Sequence, residues 1–296
     1  MTGGLHGEGT RASLAGAVAL SLLCAPRAAA QDEPSLRWSD RWERTHPASY
    51  VAQSLGVASA LVFDALYEQG PEAALRGPAL FDADVRRALR AGTEADRERA
   101  ASLSDAWLAG LMAWPVFDAL GVAGLARSSP DVAWQLLSMT AEVFAADFTI
   151  GTFVKALVDR ERPHGLECST EDRASRPARC GRHGRTRSFY SGHASAGFAS
   201  AGLVCMVHAH LSLYGDPAGD ALACGGALLS ASIIGALRMI SDRHFATDVL
   251  VGALAGLAAG LLLPYALHFG WDGRGDDVAG AGGALSGGTL GYGFAF

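Results

Sequence analysis

The sequence predicts an all-α fold, a bundle of about six core helices embedded in a membrane. Half of the 296 residues are apolar, which suits one large domain with tails. Six apolar stretches of helical length follow one another, and no strand-rich run is long enough to build a sheet. Three polar motifs lie where the third stretch ends and where the fourth and sixth begin. We therefore expect an active site at one end of the bundle.

The two ends of the chain differ from this helical domain, which we expect to cover residues 50–270. Residues 1–30 have the pattern of a secretory signal, with Arg11, an apolar run and small residues before position 31. An uncleaved anchor helix is the alternative. Residues 31–49 are polar and are expected to lie against the surface or the bilayer interface. The glycine-rich residues 271–296 predict a flexible tail.

The six apolar stretches are separated by polar segments. Phe81, Val85 and Leu89 recur at helical spacing and predict a short amphipathic helix between the first two stretches. Pro115 should kink the second stretch. The last two stretches are almost free of charge, as expected of membrane spans. The stretches cover residues 50–67, 106–126, 129–158, 194–214, 221–240 and 245–269.

The first two motifs carry groups that suit a phosphate. Lys155 is followed by Arg162-Pro163, and Lys155 is the only lysine among the 24 basic residues. Lysine and arginine supply fixed positive charge, and the planar fork of arginine can hold two phosphate oxygens. Ser191-Gly192-His193 stands at the start of the fourth stretch, where unpaired backbone N–H groups and the helix dipole favour an anion.

The third motif consists of Arg238, His244 and Asp248. His244 and Asp248 are four residues apart, so on one helix they share a face, and the carboxylate can hold and polarise the imidazole. This pattern predicts His244 as a nucleophile oriented by Asp248.

In order and spacing, the three motifs resemble those of the type 2 phosphatidic acid phosphatase (PAP2) superfamily. That superfamily contains membrane lipid phosphatases, soluble bacterial acid phosphatases and vanadium haloperoxidases. The resemblance covers residues 155–248 directly. Two positions depart from the usual pattern: Tyr190 replaces a proline, and Leu237 replaces a serine whose hydroxyl is a potential phosphate contact.

The resemblance implies metal-free hydrolysis of a phosphate monoester or pyrophosphate, with a membrane lipid as the expected substrate and no cofactor. It implies that His244 attacks phosphorus, that Asp248 holds its ring, and that His193 protonates the leaving oxygen and then activates water. The residues implied to bind phosphate are Lys155, Arg162, Ser191, Gly192 and Arg238. Two alternatives remain: a vanadium-dependent haloperoxidase-like enzyme, and a non-catalytic binder of phospholipid or polyprenyl phosphate.

Charge and loop composition restrict the partners. A net charge of −6, with arginines interspersed among acids, argues against nucleic acid. Residues 159–189 form a long polar loop with eight arginines. Loops of this length are usually functional. Arg185 and Arg187 are candidates for attracting an anionic substrate, whereas most of the others are expected to be solvated charges.

Four cysteines remain once a signal is removed, and an even number in an exported chain favours pairing. Cys205 and Cys224 are placed symmetrically about the polar turn at Tyr214-Gly215, so an antiparallel helix pair would bring them face to face. Cys168 and Cys180 share the polar loop. Buried free thiols are the alternative for each pair.

Two observations lead to opposing predictions of the side of the membrane that the site faces. Three crossings from an exported residue 31 place Lys155 in the cytoplasm, in agreement with the positive-inside rule. Paired loop cysteines favour an oxidising space instead. We predict a site that faces the periplasm, with the first or the third apolar stretch buried or interfacial instead of spanning.

Overall fold

The computed structural model of the chain describes residues 36–67 and 72–271. Within these ranges the regular structure is helical, and the one β-type contact is a bridge between Leu75 and Arg160. The predicted all-α fold is confirmed. The expected signal at 1–30 and the expected tail after residue 271 lie outside these ranges. In chain order, the helices are α1 (Pro47–Leu66), α2 (Asp82–Leu89), α3 (Glu94–Phe117), α4 (Pro130–Val158), α5 (Thr170–Ser175), α6 (Pro177–Cys180), α7 (Arg182–Arg185), α8 (Gly192–His210), α9 (Pro217–Ile240) and α10 (Ala246–Leu267).

Helix α3 begins twelve residues before the predicted start of the second apolar stretch at Ala106. Thr93 caps it, because its hydroxyl accepts a hydrogen bond from the backbone N–H of Asp96. The first turns are rich in charged residues, and Ala100 and Ala101, which follow them, are buried. Pro115 does not end the helix, which widens after it into a π-helix over Asp118–Ala126.

Helix α8 is the central element of the bundle and contacts α3, α4, α9 and α10. Its residues are mostly small, so the neighbouring helices approach closely. At Gly256 of α10, a side-chain carbon would overlap the carbonyl oxygen of Ser195. Leu203 and Val204 point to two sides of α8 and each joins one of the two apolar clusters that fill the core.

The long helices run between two ends of the bundle. Helix α1 starts at the end where α10 stops, because the backbone N–H of Glu43 donates to the carbonyl of His268 at 3.1 Å. It stops at the end where α10 starts, and there Asp64 pairs with Arg187. Trp38 is buried against the core at the first of these ends. The segment before α1 is thus packed into the bundle and not only laid against its surface.

Four helical segments are long and apolar enough to cross a membrane: α1, α3 with its π-helical extension, α9 and α10. Many leucines on their outer faces are exposed, among them Leu55, Leu229 and Leu254. Apolar side chains in such positions are typical of helices that face lipid. Helices α4 and α8 are not among the four. Helix α4 carries Glu142 and Asp147, both buried and hydrogen-bonded, to His268 and Ser195 respectively.

Both predicted cysteine pairs are disulfide-bonded. Cys205 of α8 and Cys224 of α9 have Cα atoms 4.4 Å apart, as expected for an antiparallel pair closed by a short turn. Cys168 and Cys180 bridge the polar loop, with Cα atoms 5.6 Å apart. The alternative of buried free thiols is wrong for both pairs.

Candidate active site

All eight residues predicted from the motifs lie at one end of the bundle. The last turn of α4 brings Lys155, the following loop brings Arg162, and the first turn of α8 brings residues 191–193. Arg238 lies in the last turn of α9, and His244 and Asp248 lie at the entrance to α10. The three motifs are therefore neighbours in space, although 93 residues separate the first from the last.

His244 is buried in the turn just before α10. Its Nδ1 atom lies 2.8 Å from the backbone carbonyl oxygen of Ser188. A carbonyl oxygen can only accept, so Nδ1 carries the proton and Nε2 keeps its lone pair. Burial, followed by the charges of Arg162, Arg238 and Lys155, lowers the pKa of His244 well below 6.5. The imidazole is therefore neutral, as an attacking nitrogen must be.

Asp248 does not hold this ring directly, since its Oδ2 atom lies 3.9 Å from Nδ1 of His244. Its carboxylate accepts hydrogen bonds from the hydroxyl of Ser188 at 2.5 Å, the backbone N–H of Phe245 at 2.9 Å and Arg160 at 2.6 Å. The expected contact at four-residue spacing fails because His244 precedes the helix. Ser188 instead contacts both groups, since its hydroxyl donates to Asp248 and its carbonyl accepts from His244.

Three basic side chains act on this imidazole. Lys155 and Arg162 flank the end of α4, and the Nε atom of Arg162 donates to the carbonyl of Thr186 at 3.1 Å. Arg238 completes the set. Burial is the largest cause that lowers the pKa of Lys155 to about 8 and that of Arg162 to about 10, and the neighbouring cations add to both shifts. An anion bound among these groups would relieve their repulsion.

The N-terminus of α8 lies beside the lysine. Ser191 is the N-cap, and its hydroxyl accepts from the backbone N–H of Ala194 at 3.4 Å. Its own N–H donates to the carbonyl of Asp248 at 3.0 Å, which ties α8 to α10. The ammonium of Lys155 approaches Gly192 so closely that a side-chain carbon there would overlap it. A side chain at this position would therefore displace the ammonium from the N-terminus of α8.

His193 faces a carboxylate that the motifs do not contain. Its Nε2 atom lies 2.7 Å from Oδ1 of Asp105 in α3, and the same oxygen accepts from Nη1 of Arg238 at 3.1 Å. Burial, then the charge of Arg238, lowers the pKa of His193 to about 4, and Asp105 opposes this shift. The sequence carries no local signal for the contact, because 88 residues separate the two partners.

The arginine-rich loop is folded, with a 3₁₀ turn at Pro163–Glu167 and three short helices. Arg185 is buried in an ion pair with Glu161 at 2.9 Å, so the expectation that it attracts substrate is wrong. Arg187 pairs with Asp64 at 2.5 Å, although its charge still lowers the pKa of Lys155. Acidic partners, and not solvent alone, thus balance these arginines.

Arg160 is a further residue that the motifs missed. It is buried between two carboxylates, with Nη1 2.6 Å from Asp248 and Nη2 2.7 Å from Asp82. It also lies over the ring of Phe245, 4.4 Å from its centroid. Arg160 therefore fixes the start of α10 against α2, and with it the turn that carries His244.

A cavity of about 190 Å³ opens beside the lysine, between α3, α4 and α8. One end of it is polar, with Lys155, Asp147 and the buried Tyr190. The other walls are apolar and come from Met112, Phe144 and Phe148. Lys155, one of the three cations near His244, therefore lines a cavity that also has apolar side chains in its walls.

Among the residues that the structure describes, no cluster of three or more His, Cys, Asp or Glu side chains is arranged to hold a metal ion. Searches of curated proteins and of solved structures each found no match. The family model of the PAP2 superfamily matches residues 132–271, which extend from α4 to the end of α10. This region contains all eight predicted site residues. Over this region the chain is similar to the PAP2 superfamily.

Proposed function

We propose that the chain is a phosphatase that hydrolyses a phosphate monoester or pyrophosphate through a phosphohistidine on His244. The observation that carries the proposal is the state of this side chain. It is neutral, its Nδ1–H is bound to a carbonyl, and three cations act on it. The match to the family model supports the reaction class, and the geometry supports the assignment of the nucleophile.

In the proposed reaction, Nε2 of His244 attacks phosphorus while the bond from phosphorus to the leaving oxygen breaks. His193 gives its proton to that oxygen. It then takes a proton from the water that cleaves the N–P bond, which restores both histidines. Lys155, Arg162 and Arg238, with the hydroxyl of Ser191 and the N–H of Gly192, stabilise the charge on the equatorial oxygens.

We propose that the substrate is the phosphate of a membrane lipid. The cavity beside Lys155 supports this, because its apolar walls suit a hydrocarbon attached to the phosphate. The four apolar helices support it as well, since they keep the site at a fixed distance from a bilayer. Release of inorganic phosphate should be compared across phosphatidate, phosphatidylglycerophosphate, undecaprenyl pyrophosphate and a soluble monoester.

We also propose that the site faces the periplasm. The Cys168–Cys180 disulfide supports this, because it lies in the loop that forms the site and needs an oxidising space. After reduction, a membrane-impermeant thiol reagent applied to intact spheroplasts should label both cysteines. Labelling only after lysis would place the site in the cytoplasm.

The decisive variant for the mechanism is His244→Ala. Loss of an activated nucleophile should reduce phosphate release by about three orders of magnitude or more, and the acid-labile phosphoenzyme of the wild type should disappear. His46→Asn is the matched control, because His46 is exposed at the other end of the bundle. A tenth of the wild-type rate in His244→Ala would refute the role of His244.

Three further measurements test the metal-free mechanism and separate the alternative activities. Activity should persist in EDTA, and loss on chelation that a divalent ion restores would overturn the metal-free mechanism. Peroxidase activity that appears on addition of vanadate, without hydrolysis in its absence, would assign haloperoxidase chemistry. Binding of lipid phosphate without release of inorganic phosphate would identify a binder.

A further inference from the structure

Asp105 links two groups of the site through a single oxygen atom. Oδ1 accepts from Nε2 of His193 at 2.7 Å and from Nη1 of Arg238 at 3.1 Å. Asp105 comes from α3, before the matched family region begins at residue 132. Its side chain is 61% exposed, whereas that of Arg238 is 6% exposed. The carboxylate therefore stands at the mouth of the site and reaches inward.

Stability does not account for this contact. Ion pairs of exposed carboxylates contribute little to stability because solvent screens them. A carboxylate on an arginine that is proposed to bind phosphate also opposes anion binding, since like charges repel. The position of Asp105 therefore weakens the proposed contact between Arg238 and the substrate phosphate.

The helices packed around His193 carry charged groups that favour or disfavour its protonated form. Lys155 of α4 and Arg238 of α9 disfavour its protonated form. From α10, Asp248 is already bound to Arg160 and Ser188. Asp105 of α3 is the described carboxylate in direct contact with the ring. It is thus the group placed to favour a charged imidazole, which the leaving oxygen needs as its proton donor.

The contact between Asp105 and His193 also determines which ring nitrogen transfers the proton. The carboxylate accepts a hydrogen bond from Nε2–H, so Nε2 keeps its proton in both the neutral and the charged imidazole. The proton that moves is then the one on Nδ1. It goes to the leaving oxygen as the P–O bond breaks, and Nδ1 recovers a proton from water when the phosphohistidine is hydrolysed.

We propose that Asp105 is a positioning residue for the acid–base histidine: it holds Nε2–H of His193, stabilises the imidazolium and leaves Nδ1 to transfer the proton. This inference rests on the proposed phosphatase function. Asp105 does not touch the reacting atoms, and its effect on proton transfer is exerted through His193.

The test is the pH profile of kcat/KM for Asp105→Asn, because asparagine keeps the size of the side chain and removes its charge. A general acid must be protonated, so the rate falls as pH rises through its pKa. Loss of an adjacent opposite charge lowers that pKa by about one unit or more. We expect the alkaline limb to move to lower pH by that amount, with a loss of about tenfold at every pH above the limb, including neutral pH.

Two controls accompany this variant. Asp96→Asn removes another exposed carboxylate of α3, which pairs with the exposed Arg99, and should keep the wild-type profile. Asp105→Glu keeps the charge and should restore most of the alkaline limb. An unshifted limb in Asp105→Asn overturns the proposal. A lower KM and tighter inhibition by inorganic phosphate with an unshifted limb would identify Asp105 as a competing anion instead.

A second readout does not depend on turnover. The ring signals of isotope-labelled His193, titrated by NMR in detergent, should report a lower pKa in Asp105→Asn than in the wild type. An identical titration in both overturns the proposal. If the wild type releases no phosphate from any substrate, the proposed function fails, and this titration still decides the role of Asp105.

Discussion

Replacement of Ser188 by alanine tests how Asp248 reaches the nucleophile. The change removes the hydroxyl that donates to Asp248 at 2.5 Å and keeps the backbone carbonyl that binds His244. A hydrogen bond to a buried carboxylate contributes about 2 kcal/mol. If the full amount is lost in the transition state, kcat falls about 30-fold. KM should change little, because Ser188 is not among the proposed phosphate ligands.

Single-turnover phosphate release and thermal unfolding in detergent measure the two effects. Ser200→Ala is the matched control, since Ser200 is also buried and its hydroxyl has no hydrogen-bond partner within the described part of the chain. It should keep the wild-type rate within about twofold. Asp248→Asn should lose more activity than Ser188→Ala, because it also breaks the pair with Arg160. An inactive Asp248→Asn beside a fully active Ser188→Ala would refute action through Ser188.

Three other outcomes follow from the structure. The apparent affinity for phosphate should fall as pH rises through about 8, where Lys155 loses its charge, and Lys155→Arg should move this loss to higher pH in inhibition assays. The double variant Cys205→Ala/Cys224→Ala should lower the thermal midpoint by the equivalent of about 3 kcal/mol, set by the length of the closed loop, and should keep kcat. Because folded His244 binds a proton less readily than an unfolded histidine, stability should decline as pH falls below about 6.5, and His244→Gln should reduce this decline in melting curves.

The residues that the three motifs single out lie close together because each motif sits at a helix end. Helix ends gather at the ends of a bundle, so Lys155, His193 and His244 are each confined to one of its two ends. The same logic predicted the Cys205–Cys224 bridge, since a short turn sets the register of two antiparallel helices. These inferences need only helix periodicity and turn position.

Contacts between distant segments were beyond that reasoning. Asp105 and Ser188 meet the motif residues only after α3 and the arginine-rich loop pack against α8 and α10. The expected bond between His244 and Asp248 failed for a local reason, since helical spacing does not apply one residue before the N-cap Phe245. The loop arginines were expected to be solvated because their acidic partners, such as Glu72 and Glu94, lie far away in the sequence.

The direction of α1 relates the cleavage of the N-terminal segment to the side of the membrane on which the reaction occurs. Helices α1 and α4 both run from one end of the bundle to the other. In a bundle that spans the membrane, each of them is therefore one crossing, and neither can be left out of the number of crossings before Lys155. A spanning bundle with a periplasmic site therefore keeps residues 36–46 in the cytoplasm and its N-terminal segment uncut. A cleaved signal combined with a periplasmic site instead places the whole bundle, with both disulfides, outside the cytoplasm against the membrane. Sequencing of the mature N-terminus separates these two forms of the protein, because Met1 belongs to the first and a start near Gln31 to the second.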